Sequence, residues 1–445
     1  MDLKPADVFF YFEALTKIPR LSGQEKNVSN YLVRFANQLG LEVIQDSYFN
    51  VIIKKPAQGR FDAPAVILQS HLDMASVLSD GYQFDFEKFG IPTSIEDLWM
   101  RGTYTSIGAD NGIGIAMMMS LLANPIWPHP PLTCLFTVEK ETTMKGAIHL
   151  DSAHLKGGVL INLDGNNEGS ALVYSAGKQR AAVNFPIRWS KPVQKNLISC
   201  ELLLDGFSPL NKTLLLSDLL RLLQRFDVSI FKIDNLKKGL IIGITQNPGI
   251  LPQIEKAVSA YEQKLQSKYM DANLNLNVQF QKTDVVARAL SYGTVQRLAT
   301  FCSSLPNDSI KLGAVKTTET AIQMNWLLKC SESDLGAVSQ KLKKIASEAN
   351  IQFEMMDDYP RWTENPQSAI RKRMAETYQK MYRKELNFIA GPDYMEINHW
   401  LKKSPALDLI AIGPTIRNAG TPQEALYIPS VKQVYDFLLH VLKDL

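Results

Sequence analysis

Three short segments carry residues whose types and spacing suit metal chemistry. In SHLDM, His71 and Asp73 stand two apart at the end of an apolar run. On a strand that spacing puts both side chains on one face, so Asp73 can hydrogen-bond the far ring nitrogen of His71 and fix its tautomer, as a metal-binding histidine requires. In IGADNGIG, Asp110 stands at the mouth of a helix, where it reads either as a ligand or simply as an N-cap. In NLDG, Asp164 follows an apolar strand and, taken alone, is a turn former as readily as a ligand. Between these last two, TVEKET offers Glu139, Lys140 and Glu141 at another strand end. A histidine with its carboxylate, joined by further acidic strand ends, makes a nitrogen and oxygen donor set suited to zinc.

Such residues converge only if the elements behind them do. Runs with strand character are LEVI at 41–44, NVII at 50–53, AVILQ at 65–69, TCLFTV at 133–138 and GVLINL at 158–163, interleaved with helical stretches such as 111–123. Continuous apolar strands alternating with helices predict an α/β sheet covered on both faces, and in such sheets ligands gather beyond the carboxyl ends of the strands. Ser22 and Glu25 spell a capping box ahead of Val28, Leu32, Phe35 and Leu39, with Gly40 as the stop, which predicts a helix there. From about residue 197 the texture changes to strand, helix, strand, strand, helix, strand, and then recurs, with helices near 212–226, 250–268, 287–302 and 333–348. Leu274, Leu276, Val278 and Phe280 alternate with polar residues, as a sheet with one solvated face requires. This reads as an α+β insertion with signs of duplication. A helix at 367–382, a strand at 406–412 and a helix at 430–442 return to the earlier style. The expected division is 1–180 and 356–445 as one catalytic-type domain, with 181–355 inserted.

A length of 445 residues exceeds one ordinary core and agrees with two domains. The formal charge of +3 comes without a basic stripe or an acidic tail, so no nucleic-acid partner is expected. No run approaches the roughly 18 apolar residues of a membrane span, and the N-terminal stretch, with acidic residues inside it, reads as an amphipathic helix rather than a signal peptide. Cys134, Cys200, Cys302 and Cys330 form no CxxC pair and read as reduced, mostly buried thiols of a cytoplasmic protein, with no thiolate metal site. His129, His149, His154 and His440 read as ordinary surface or core residues, and Met117, Met118 and Met119 as core filling in an apolar helix.

SHLDM, GADNGIG, TVEKETTMKGA, LINLDGNNEG followed by SAG, and IGPTI resemble, in order and spacing, the aminoacyl-histidine dipeptidases, relatives of carnosinase among the two-zinc exopeptidases. The resemblance covers nearly the whole chain. It implies a zinc-exopeptidase-like domain with a mixed, mostly parallel sheet flanked by helices, interrupted by an α+β lid domain, and a homodimer formed through that lid. It also implies that His71 binds one zinc, Asp110 bridges both, Glu141 binds the second, Asp164 completes the first, and Asp73 orients His71. The substrate implied is a dipeptide or a related small amide.

The pattern breaks where the family does its chemistry. The family has a glutamate general base just before the zinc-binding glutamate; here that position is Lys140, and an ammonium has no lone pair to accept a proton. The second zinc's histidine, expected after IGPTI, aligns with Gly420 in RNAGTPQEA. The lid histidine that stabilises the oxyanion aligns with Phe207, between Gly206 and Ser208–Pro209. The family's His-Ala-Gly-Leu-Glu aligns with Pro392, Asp393, Tyr394, Met395 and Glu396, which keeps only the glutamate and leaves His399 as a candidate substitute. Asp73, Asp110, Glu141 and Asp164 with Lys140 sum to a formal −3, which one Zn²⁺ brings to −1, the balance of the family's five carboxylates with two ions. A second ion beside the ammonium, at about 5 Å and an effective dielectric of about 20, would be repelled by on the order of 7 kcal/mol. The expectation is at most one zinc, held by His71, Asp110 and Asp164, with Lys140 paired to Glu141 in place of the other and the hydrolytic machinery incomplete.

Overall fold

Strands buried on both faces build the sheet that carries these residues. In the computed structural model, residues 3–79, 81–86, 88–175, 178–190, 198–205, 212–226, 228–236, 239–268, 277–284, 288–306, 310–328, 332–359, 361–391 and 395–445 are described. The chain divides into two compact units, Met1–Gly177 with Pro360–Leu445, and Lys178–Tyr359.

The first unit holds an eight-stranded sheet in the spatial order Glu42–Gln45, Val51–Lys55, Leu132–Thr137, Val66–His71, Val159–Asn162, Asp408–Ala411, Ser170–Tyr174, Asn387–Ala390. The four strands from Leu132–Thr137 to Asp408–Ala411 run parallel, and antiparallel pairings flank them. Alternation sends Val66 and Leu68 to the layer that holds the helices Ala6–Thr16, Lys26–Gln38, Ala109–Ala123 and Ile428–Asp444. It sends Ile67, Leu135 and Leu160 to the other, beside Trp400 of the helix Glu396–Lys403. The doubly covered, mixed and mostly parallel sheet predicted from the apolar runs is therefore present.

Parallel pairing aligns the carboxyl ends of these strands. His71 lies opposite Thr137, so the strand that delivers His71 and the one that leads to Lys140 end side by side. Gln69 lies opposite Asn162, two residues before Asp164.

The helix expected after Ser22 runs over Lys26–Gln38 and buries Val28, Leu32 and Phe35. Its stop is a Schellman motif, in which the amide of Gly40 donates to Asn37 O and that of Leu41 to Ala36 O. The capping box does not form: no side chain caps this helix. Ser22 Oγ donates instead to Asp73 Oδ2 at 2.6 Å, and Glu25 Oε1 accepts the amides of Gly23 and Glu139. The motif residues are engaged by the site rather than by the helix end. Among the described residues no helix is long and apolar enough to cross a membrane. Cys134, Cys200 and Cys302 are free and buried, and Cys330 lies outside the described residues.

The second unit contains two antiparallel four-stranded sheets. One is ordered Val228–Leu236, Gly239–Gln246, Ile198–Asp205, Asn277–Thr283, the other Ile310–Thr317, Ala321–Leu328, Lys178–Pro186, Gln352–Tyr359. Within each set of four, counted along the chain, the spatial order is second, third, first, fourth, and each set carries helices after its first and third strands. The first strand of the later set, Lys178–Pro186, precedes the whole of the earlier set, so one repeat sits inside the other. The two repeats share one core, and their second strands are joined by Thr317, which donates to Asp234 Oδ1 at 2.6 Å and accepts from the Ile233 amide at 2.8 Å. Of the expected alternating strand, Leu274 and Leu276 lie outside the described residues, while Phe280 lies in Asn277–Thr283.

Candidate metal centre

His71 ends the strand Val66–His71 with its side chain fully enclosed. Its Nδ1 lies 3.0 Å from Asp73 O and 3.3 Å from Asp73 Oδ1. Its Nε2 faces Asp110 Oδ1 at 3.1 Å, Asp164 Oδ1 at 3.5 Å and Glu141 Oε1 at 3.9 Å. The structure thus brings together every acidic residue singled out as a metal ligand, around one imidazole.

Asp73 does more than orient the ring. Its carboxylate accepts the backbone amides of Lys140 and Glu141, both at 2.9 Å, together with the Ser22 hydroxyl. It therefore fixes the turn that follows Leu132–Thr137, in which Glu139 adopts a φ of 57°. From that turn Lys140 extends into the cluster, its Nζ 2.8 Å from Glu141 Oε1, 3.3 Å from Asp164 Oδ2 and 3.7 Å from Asp110 Oδ1.

Asp110 is held by a loop whose glycines have a steric reason. Gly108 has a φ of 71°, and a Cβ there would come within 2.6 Å of the Arg20 guanidinium. A Cβ at Gly114 would lie 2.5 Å from Ser70 Oγ and 2.9 Å from Leu163 O, so the helix Ala109–Ala123 can approach the strands only with glycine there. Asn111 Nδ2 donates to Leu163 O at 2.7 Å, tying the Asp110 loop to the strand that delivers Asp164. Glu424 accepts the amides of Gly108 and Asp110, and buried Arg20 donates to the carbonyls of Leu72, Asp73 and Gly108. Sequence reasoning passed over Arg20 and Glu424, although Glu424 lies in the same RNAGTPQEA segment that contains Gly420.

The electrostatics follow from burial and from this crowding. Burial and the Lys140 charge both push the His71 imidazolium down, but the Asp164 and Asp110 carboxylates prevail, and its pKa stands well above the ordinary histidine value. Burial opposes the charged forms of Asp73 and Asp110 as well. His71, Ser22 and the Glu141 amide nonetheless hold Asp73 far below the carboxylate range, and Lys140 with His71 does the same for Asp110. Burial raises the Asp164 carboxyl; Lys140 pulls it back and the like charge of Asp110 pushes it up again. Lys140 is raised well above 10.5, because Asp164, Asp110 and Glu141 together outweigh its burial. Burial lowers Arg20 to about 10 against the pull of Glu424, Asp73 and Asp110, and raises Glu424 to about 7.

The remaining sequence candidates fall elsewhere. Gly420 has a φ of 67°, a Cβ placed there would meet Ala75 Cβ at 3.8 Å, and it offers no donor side chain. Phe207 and residues 392–394 lie outside the described residues. Glu396 begins the helix Glu396–Lys403, where its Oε2 accepts from Gln69 Nε2 at 2.7 Å. Gln69 in turn bonds Asn162, whose Oδ1 accepts the Asp164 amide at 3.0 Å, so a buried polar chain links Glu396 to the cluster. His399 is half-buried on the same helix and is not part of the group of donors close enough to share an ion.

A tetrahedral zinc with legs of about 2.0–2.1 Å sets its donors about 3.3 Å apart. The separations of 3.1 and 3.5 Å from His71 Nε2 to Asp110 and Asp164 fit that edge. Asp164 Oδ1 is buried and accepts no hydrogen bond, as a group directed at an ion would be. His71, Asp110 and Glu141 also place donors within 4.8 Å of one another, but there the Glu141 oxygen already has the Lys140 ammonium at 2.8 Å. The donors close enough to share one ion are thus His71, Asp110 and Glu141; Asp164 Oδ1 stands beside His71 Nε2 but outside that group, and the Lys140 ammonium contacts all three carboxylates.

No protein-family model matches the chain. The chain is 26% identical, over an alignment of 476 residues, to the cytosol non-specific dipeptidase of Escherichia coli strain K12, with 100% of this chain and 98% of that one covered. Its structure is similar to that of the aminoacylhistidine dipeptidase from Vibrio alginolyticus, with a TM-score of 0.78 and 24% identity, covering 100% of this chain and 97% of that one. A tripeptidase from Staphylococcus aureus shares the fold with a TM-score of 0.62 and 13% identity, covering 100% of this chain and 99% of that one. The resemblance read from the motifs therefore extends along the whole chain.

Proposed function

We propose that this chain is a divergent homologue of the zinc aminoacyl-histidine dipeptidases, non-hydrolytic or strongly impaired, and able to hold at most one zinc. The observation that carries this reading is the ammonium of Lys140 at the general-base position, 2.8 Å from the carboxylate of Glu141. It cannot take a proton from water, and loss of a general base costs roughly 10²–10⁴ in rate. Gly420 and Phe207, at positions where the family has histidines, remove a metal ligand and an oxyanion donor as well. The ligand proposed for this site, from the resemblance, is a dipeptide or a small amide. We further propose a cytoplasmic location, from the reduced thiols and the cytosol relative, and a homodimer through the inserted unit.

One observation favours a second reading, an active one-zinc peptidase: His71 Nε2 lies 3.1 Å from Asp110 Oδ1 and 3.5 Å from the hydrogen-bond-free Asp164 Oδ1, both near the donor-to-donor edge of a zinc site. Zinc held there would supply Lewis acidity and acidify a water toward a pKa of about 7. Metal content of freshly purified protein, measured together with Xaa-His dipeptide hydrolysis, separates the two. The expected result is no more than one zinc per chain and no turnover above background. Two zinc ions per chain would overturn the proposal, whereas zinc-dependent cleavage abolished by His71→Ala would establish the second reading.

A further inference from the structure

We infer that Lys140 is the resident cation of the whole cluster, and that the native state consequently needs no metal ion. The inference rests on reading His71, Asp110, Glu141 and Asp164 as an inherited ligand set. It goes beyond replacement of the second ion, because the ammonium also reaches the carboxylates of the first. Its neighbours come from three separate pieces of the fold: Asp110 from the start of Ala109–Ala123, Glu141 from the turn after Leu132–Thr137, and Asp164 just beyond the end of Val159–Asn162. Cross-linking such pieces is what a bound dication does in a metal centre. Here a tethered monocation does it, supplied by a backbone that Asp73 fixes through the amides of Lys140 and Glu141.

The placement is built rather than incidental. The Lys140 side chain is only 17% exposed, and Asp110 and Asp164, at 13% and 8%, are too enclosed for water to neutralise them in its stead. A zinc at His71, Asp110 and Asp164 would share two of the three carboxylates that Lys140 contacts. Metal and ammonium are therefore competitors for one seat, and metal enters only if Lys140 swings away from Asp164 and Asp110.

The test compares full-length wild type with Lys140→Gln, each melted in EDTA and in excess zinc, with zinc affinity measured by competition against a chromophoric chelator. Wild type should melt within about 2 °C in the two conditions. Lys140→Gln without metal should lose about 5 °C or more in Tm, recover it with zinc, and bind zinc at least about 10²-fold tighter than wild type. A wild type that loses Tm in EDTA would overturn the inference, as would a Lys140→Gln protein that is undiminished without metal and binds zinc no more tightly. If Lys140→Gln fails to fold, folding restored by zinc supports the inference. If zinc does not restore it, Lys140→Arg decides, since it keeps the cation and should melt independently of zinc; zinc-dependent melting of that variant counts against. Dipeptide hydrolysis by zinc-loaded wild type would end the non-hydrolytic reading and leave this inference standing, while chelator-sensitive melting of an inactive wild type would do the reverse.

Discussion

Asp73 and Glu396 show how differently two enclosed carboxylates can be used. Asp73 accepts from Ser22, Lys140 and Glu141 and contacts the His71 ring, so its charge is stabilised on every side. Glu396 has the Gln69 amide and Thr137 for company, and burial pushes its carboxyl up to about 7. An acid whose folded pKa lies above its unfolded value binds its proton more tightly when folded. The contribution of Glu396 to stability is thus fully present below about pH 4.5 and lost as the pH rises through about 7. Glu396→Gln should remove this slope and, at pH 8, raise stability by about 2–3 kcal/mol over wild type. Urea unfolding of both proteins at pH 5 and pH 8 checks it; equal slopes would refute it. At this scale the sequence was partly legible. His71 and Asp73 could be paired from their spacing, and Lys140 could be recognised as out of place. Ser22 was misassigned to a helix cap, because a Ser three residues before a Glu has the same signature whether its hydroxyl meets a helix amide or a distant carboxylate. Arg20, Gln69 and Glu424 gave no signal, since their partners are tens to hundreds of residues away and mostly backbone atoms.

Elements were easier to read than contacts. The run AVILQ became Val66–His71, TCLFTV became Leu132–Thr137, and the stretch 111–123 became Ala109–Ala123, because strand and helix periods are local properties of the chain. What periodicity could not indicate is how closely that helix would approach the sheet. Gly114 sets the distance: Gly114→Ala should cost about 1–3 kcal/mol, as the new methyl group pushes the helix from Ser70 and Leu163. Because Asp110 and Asn111 ride on the same helix start, the substitution should also widen the cluster. Thermal melting measures the first effect. The second would appear as weakened zinc binding when Gly114→Ala is combined with Lys140→Gln. Unchanged stability would mean that the helix can shift at no cost.

At the scale of the whole molecule, the change in texture after Gly177 falls where the chain passes from one compact unit to the other, Lys178–Tyr359. The order in which the repeats are threaded was not legible, because the sequence of Lys178–Pro186 does not mark it as the first strand of the later set. The second unit is contiguous and has its own core, running from Ala181 and Val183 through Trp326 to Ile351. A fragment spanning 178–359 should accordingly fold alone and unfold in one cooperative transition, followed by circular dichroism; a non-cooperative melt would show that it depends on the first unit.

The threading of that unit resembles nested brackets. Lys178 pairs with Tyr359, closing the outer bracket on itself, while Ser190 opposite Ala289 and Ser199 opposite Thr283 close an inner one. A chain so arranged can gain or lose its inner clause without cutting the outer. The shared core makes the loss costly. Removing the inner repeat would bare the face of the outer helix Tyr292–Ser304 that Ser217 and Arg221 of the inner helix Lys212–Leu223 contact, so two clauses that are grammatically separable have become a single sentence energetically.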